Sequence, residues 1–210
     1  MDYQSTVSRD SYHHGNLALA LVEAARKVLE AEGVHALSLR GVAREAGVSQ
    51  AAPYHHFPNK EALLAAVAQV GFQELNARLD GARASSDDIG AVLRAMGGAY
   101  VGFGLEHPQL YGLMFGSECP VERHPEMKAE GAAAFERLIA VVAEGQQAGR
   151  IRGEEPLGPS LGVWSTVHGL TSLTIHRLEA GKEFHGMQLD RQVLVDQVLA
   201  FVERALGVEP

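Results

Sequence analysis

Ser38-Leu39-Arg40-Gly41-Val42-Ala43-Arg44-Glu45-Ala46-Gly47-Val48-Ser49-Gln50-Ala51-Ala52-Pro53-Tyr54-His55-His56-Phe57-Pro58-Asn59-Lys60-Glu61-Ala62-Leu63-Leu64 reads as two short helices around a glycine turn, with a third helix starting behind them. Ser38 can cap the first helix by accepting a backbone N–H bond. Leu39, Val42, Ala43 and Ala46 make its apolar stripe. Gly47 stands where a helix end wants a left-handed residue. Val48 can fill the corner, and Ser49 is placed to cap a second helix over about 49–56. Pro53 lacks an amide hydrogen and removes that helix's first internal bond, so the helix is expected to be short and partly irregular. Asn59 caps the next helix, with Glu61 in its first turn. The second helix is unusual in composition: Gln50, Ala51, Ala52, Tyr54, His55 and His56 include no large aliphatic side chain. Such a face suits close approach to base edges better than core filling, and this spacing is what holds a helix in the DNA major groove.

Outside this stretch, composition sets bounds. The chain has 210 residues, 46% hydrophobic and 6% aromatic, enough for a sizeable core in one or two units. Helix formers dominate, and an all-α fold of about nine helices is expected. No window approaches 18 uninterrupted apolar residues, and the N-terminus is polar, so no membrane span or signal region is expected. Cys119 is the single cysteine, which rules out an intrachain disulfide and suits a reducing cytoplasm. The net charge of −8 argues against nucleic acid by itself. Residues 1–65 hold six Lys or Arg and seven Asp or Glu, so −7 of that charge lies beyond them. DNA contact must then rest on locally placed groups, on helix N-termini and on a second copy of the head.

The residues now carry a family resemblance. Ala46-Gly47-Val48-Ser49, Tyr54, Phe57 and Lys60-Glu61-Ala62-Leu63 resemble the DNA-binding motif of TetR-type transcriptional regulators. Pro53 stands where leucine is commoner. Trp164, His168 and Gly169 are similar to the Trp-His-Gly signature of one class of TetR C-terminal domain. Tyr100 to Phe115 resembles the segment that precedes it, and Tyr12-His13-His14-Gly15 extends the likeness to the front. The resemblance implies a head over residues 1–62 and a ligand-binding, dimerising body over 63–210. It implies that Tyr54 and Lys60 touch phosphates and that His55 sits at bases or backbone. It also implies that the last two helices pair with their copies.

Residues 1–12 read as a solvated tail. A first helix from an Asn16 cap to about Glu32 carries Leu17, Leu21, Ala24, Val28 and Leu29. A long helix from about Lys60 to Arg83 connects head to body. Others follow after Ser86-Asp87-Asp88, from Pro108 to Phe115, from Glu126 to Gln147, and over about 160–180 and 188–206; 116–124 and 149–159 read as loops.

Candidate DNA contacts are Arg40, Ser49, Gln50, Ala51, Tyr54, His55 and Lys60. Arg40 and Arg44 are four apart on the first helix, which places one to hold a phosphate and leaves one solvated or paired with Glu45 or Glu23. Phe72, Tyr100, Phe103, Tyr111, Met114, Phe115, Trp164 and His168 supply aromatic walls with a few polar tips, the makings of a small apolar ligand site; each could equally be plain core. Ser165, Gly169 and Ser172 form a small-residue stripe for close helix approach, and with Leu194, Val198, Phe201 and Val202 mark the candidate dimer face. No cofactor is implied. His168 has no acid or histidine four residues away, and His107, Cys119, Glu122 and His124 match no recurring metal spacing. The reading is a cytoplasmic, ligand-responsive repressor that binds a near-palindromic operator as a homodimer. A helix-turn-helix used for protein interaction lacks large anchors on the second helix, and an all-α enzyme lacks any nucleophile with a paired base.

Overall fold

The computed structural model describes residues 9–177 and 190–208. Among them it has eight α-helices, two 3-10 turns and no strand. In order they are α1 (Arg9–Glu32), α2 (Leu39–Glu45), a 3-10 turn (Ala52–His55), α3 (Lys60–Arg83), α4 (Ile89–Glu106), α5 (Pro108–Phe115), a 3-10 turn (Val121–Arg123), α6 (Pro125–Gln147), α7 (Leu157–Arg177) and α8 (Arg191–Leu206). No helix of the described residues is long and apolar enough to cross a membrane.

The head forms around α1, α2 and the start of α3. Leu21, Leu29, Leu37, Val42 and Leu63 are completely or almost completely buried, and each such side chain contributes about 1.5–3 kcal/mol. Ser38 caps α2 by accepting from the Gly41 amide at 3.1 Å, and Asn59 caps α3 by accepting from Ala62 at 2.8 Å. Gly33 (φ +81°) and Gly47 (φ +68°) turn the chain after α1 and α2 through the left-handed region that a side chain resists.

Three expectations change here. Helix α1 starts at Arg9 rather than at an Asn16 cap: no proline precedes Asn16, and Gly15 weakens a helix by only about 1 kcal/mol. The tail before Arg9, and the side chains of Arg9 and of Tyr12-His13-His14-Gly15, lie outside the described residues. The segment at 49–56 is not an α-helix capped by Ser49. It is a 3-10 turn over Ala52–His55, preceded by Ala51 with no side-chain cap. Pro53 is the cause: it has no N–H to give, so bonds run from Ala52 to Ser49 (3.0 Å) and from Tyr54 to Ala51 (3.2 Å). Only beyond it does an α-type bond return, from Phe57 to the Pro53 carbonyl at 2.8 Å. Last, α7 begins at Leu157, because the Glu155 carboxylate accepts from the amides of Leu157 (3.1 Å) and Gly158 (3.2 Å).

The body is built on α3, which packs against α1, α4, α5 and α6, while α4 packs against α7 and α8. Two glycines let α4 approach its neighbours closely. A Cβ on Gly97 would lie 2.4 Å from Leu199 of α8, and one on Gly104 would lie 2.3 Å from Thr171 of α7. The expected boundary at residues 62 and 63 falls inside α3, which runs unbroken from head to body.

Candidate nucleic-acid interface and ligand cavity

The sequence from α2 to the start of α3 builds an exposed polar ledge. Arg40, Arg44, Ser49, Gln50, Ala51, Tyr54 and His55 are all exposed, while Pro53 and Phe57 point into the head core. A tyrosine half exposed (51%) with an aromatic neighbour buried beneath it is placed for an outside partner. Lys60 differs from the rest. Its ammonium is half-buried and donates to the Val34 carbonyl at 2.7 Å, tying the start of α3 to the turn after α1.

Two further links join head to body. Arg26 of α1 pairs with Glu74 of α3 at 2.7 Å, and Glu74 is shared with Arg78 at 2.9 Å and with His107 at 3.3 Å. At the other end of the head, Glu61 receives His124 Nε2 at 3.1 Å and Arg123 at 3.4 Å. Cys119 is buried beside the Glu61 carbonyl (3.9 Å), and burial pushes its thiol up to about 11, away from the reactive thiolate. Among the described residues no three metal-ligating side chains converge.

In the body, α3, α4, α5, α6 and α7 line a cavity of about 270 Å³. Of the residues expected to line it, Phe72, Tyr100, Phe115 and Trp164 do so. Phe103 does not: it is fully buried elsewhere, with the Arg78 guanidinium 5.3 Å from its ring centre. Met114 lines a second hollow next door, and Tyr111 and His168 stand behind the cavity wall. Leu79, Leu93, Met96, Phe135 and Leu138 complete much of the lining. Their only sequence signal was membership of helix stripes, which core residues share.

The polar tips satisfy one another. The Tyr111 hydroxyl lies 2.6 Å from His168 Nδ1, the Tyr100 hydroxyl lies 3.0 Å from the same nitrogen, and the two hydroxyls are 3.2 Å apart. Trp164 stacks beside His168 at 5.3 Å between ring centres. Burial holds His168 below its ordinary pKa and both tyrosines above theirs, so all three are neutral near pH 7. The cavity is therefore an apolar chamber with a neutral hydrogen-bonded back wall.

On α7 and α8 the expected dimer face is partly redrawn. Ser165 and Phe201 are exposed, Gly169, Ser172, Leu194 and Val198 half-buried. Val202 is 6% exposed and packs into its own core, so it is unavailable to a second chain. The sequence reading omitted Leu157, Leu161, Leu173 and Val193, all exposed. The signal was present: 157, 161, 165, 169 and 173 form one row at four-residue spacing, and 193 and 201 belong to another.

Comparison with known proteins finds two matching family models along the chain. Residues 21–67 match the model for bacterial regulatory proteins of the tetR family. Residues 93–202 match the tetracyclin repressor-like C-terminal domain. A head of the first kind on a body of the second defines a transcription regulator with its ligand sensor built in. The chain belongs to the tetR family. A solved protein of unknown function from Rhodococcus sp. RHA1 is similar at 35% identity and a TM-score of 0.80, covering 93% of this chain and 97% of that one. FadR from Bacillus subtilis, solved in complex with stearoyl-CoA, shares the fold at 16% identity and a TM-score of 0.71, over 88% and 96% of the two chains. The HTH-type transcriptional regulator Rv1816 of Mycobacterium tuberculosis is 28% identical over 137 residues, 60% of this chain. That match takes in 57% of the curated relative's length.

Proposed function

We propose that this chain represses transcription as a homodimer on a near-palindromic operator and is released by a small, partly apolar effector. One observation carries the reading: α3 belongs to both halves. Its first turn, at Glu61, Leu63 and Leu64, is part of the head, and eight residues beyond Leu64 the same helix gives Phe72 to the cavity wall. A ligand that favours one packing of the body therefore biases the placement of the head. Two ledges about 34–36 Å apart would read successive major grooves. The exposed row on α7, from Leu157 to Leu173, with Val193 and Phe201 on α8, is the face we assign to the partner chain. Tyr54, His55, Gln50, Ala51, Ser49 and Arg40 are assigned to DNA. The FadR of Bacillus subtilis, solved in complex with stearoyl-CoA, supports a reading in which the effector carries a long apolar chain.

The test is selection of bound sequences from a random DNA pool by the purified protein at two salt concentrations. An inverted repeat with strong salt dependence is expected. Recovery of no sequence, or of a site without symmetry, would overturn the reading.

A further inference from the structure

We infer that the effector site has two compartments and that its ligand is a linear monocarboxylate, with the apolar chain in the inner cavity and the carboxylate in the outer hollow beside Lys128. The inference rests on the effector reading above and adds where the ligand's polar end lies and what it is.

Among the described residues the inner cavity has no charged side chain in its lining, and its back-wall hydroxyls and imidazole are already paired. A charged group cannot be buried there without a partner. The neighbouring hollow, about 530 Å³ and open to solvent, shares Phe72, Phe115 and Gly131 with the cavity. The partition is thus two aromatic side chains over a residue with none. The rings of Phe72 and Phe115 meet edge to face, 5.4 Å between centres and 80° between planes. A Cβ on Gly131 would lie 3.3 Å from Phe72 Cζ, so the glycine keeps this boundary loose. Beyond it, Met114 and Met127 give the hollow a soft, adaptable apolar wall.

Charge then selects the head group. Lys128 lines the hollow, is exposed, and has no ion-pair partner among the described residues. Glu122 shares the lining, and among the described residues no arginine does. A single ammonium with no ion-pair partner of its own can hold one carboxylate. A phosphorylated, multiply charged head would meet Glu122 without the guanidinium forks that usually hold phosphates. The two hollows together lie in the size range of ligand sites, about 300–1,000 Å³.

Trp164 is the chain's only tryptophan and lines the inner cavity, so its emission reports occupancy there. The full chain is titrated with dodecanoate, methyl dodecanoate, dodecanoyl-coenzyme A and toluene. Dodecanoate is expected to shift the emission and to bind more tightly than the thioester. Lys128→Met should weaken dodecanoate about tenfold while leaving the methyl ester within about twofold, as loss of one charge-assisted hydrogen bond requires. Gly131→Leu should weaken both long ligands about tenfold or more and spare toluene, and Gly131→Ala, which adds one methyl group, should fall between. An unchanged acid-to-ester ratio in Lys128→Met, unchanged dodecanoate binding in both Gly131 variants, or tighter binding of the thioester overturns the inference. Toluene binding without dodecanoate binding overturns the two compartments and leaves the effector cavity standing. Binding of no probe takes both down.

Discussion

Tyr111 of α5 and His168 of α7 meet at 2.6 Å, hydroxyl to Nδ1, and this is the tightest polar contact behind the effector cavity. Tyr111→Phe deletes the hydroxyl and leaves Tyr100, 3.0 Å from the same nitrogen, as the remaining partner. The single variant should lose about 1–2 kcal/mol of stability in urea unfolding. Combining it with Tyr100→Phe leaves the nitrogen orphaned. The double variant should therefore lose more than the two singles together, a coupling that a double-mutant cycle measures. Additive losses would mean that the triangle does not act as a unit.

Acid should weaken the body through His168. Its folded-state pKa lies below the ordinary 6.5 because of burial. Above 6.5 both folded and unfolded forms are neutral there, and the residue contributes no pH dependence. As pH falls below 6.5 the unfolded chain takes up a proton that the folded chain resists, so stability falls. Glu30 acts with the opposite sign, since burial raises its pKa and protonation relieves it. The difference between wild type and His168→Gln isolates the histidine. Melting temperatures at pH 7.5 and 5.5 should fall further for wild type than for the variant. Equal falls would mean that His168 protonates freely in the fold.

Lys60 and Tyr54 should separate in DNA binding. Tyr54 is exposed, so Tyr54→Ala should keep the melting temperature and lose about tenfold or more in operator affinity. The Lys60 ammonium is held by the Val34 carbonyl. Lys60→Met should cost the head about 1 kcal/mol and leave the salt dependence of binding unchanged. A phosphate contact would instead lower the slope of log K against log salt by about 0.9. That drop, measured by fluorescence anisotropy, would return Lys60 to the DNA.

Gly104 tests how closely α4 and α7 are packed. Its Cβ would meet Thr171 at 2.3 Å and Tyr111 at 3.0 Å. Gly104→Ala should destabilise by about 1–3 kcal/mol even though alanine favours helix, because overpacking outweighs propensity. A neutral result in thermal unfolding would mean the two helices can part at low cost.

The elements that sequence announced were those with local chemistry. Ser38, Asn59 and Asp88 cap helices through their own side chains, and Gly47 supplies its turn unaided. Pro53 announced irregularity, but the extent of the 3-10 turn depended on how the whole Ser49–Phe57 segment settles over its missing amide. The bond from Lys60 to Val34 was not legible, because the two lie 26 residues apart and no periodic pattern links them. The cavity was half legible. Aromatic residues at helical spacing marked Phe72, Tyr100, Phe115 and Trp164, yet nothing local distinguishes a stripe that meets another helix from one that leaves a gap. Phe103, on the same helix as Tyr100, falls on the filled side.

The unbroken α3 has a mechanical consequence. Phe72 lies 12 residues along the helix from Lys60, about 18 Å at 1.5 Å per residue. If the cavity end is the pivot, a tilt of about 10° swings the Lys60 end by about 3 Å. In a symmetric pair whose heads swing apart, the separation changes by about 6 Å, nearly two base-pair steps of 3.4 Å. A small tilt set at the cavity thus becomes a stride mismatch at the DNA, with a single stiff rod as the gear.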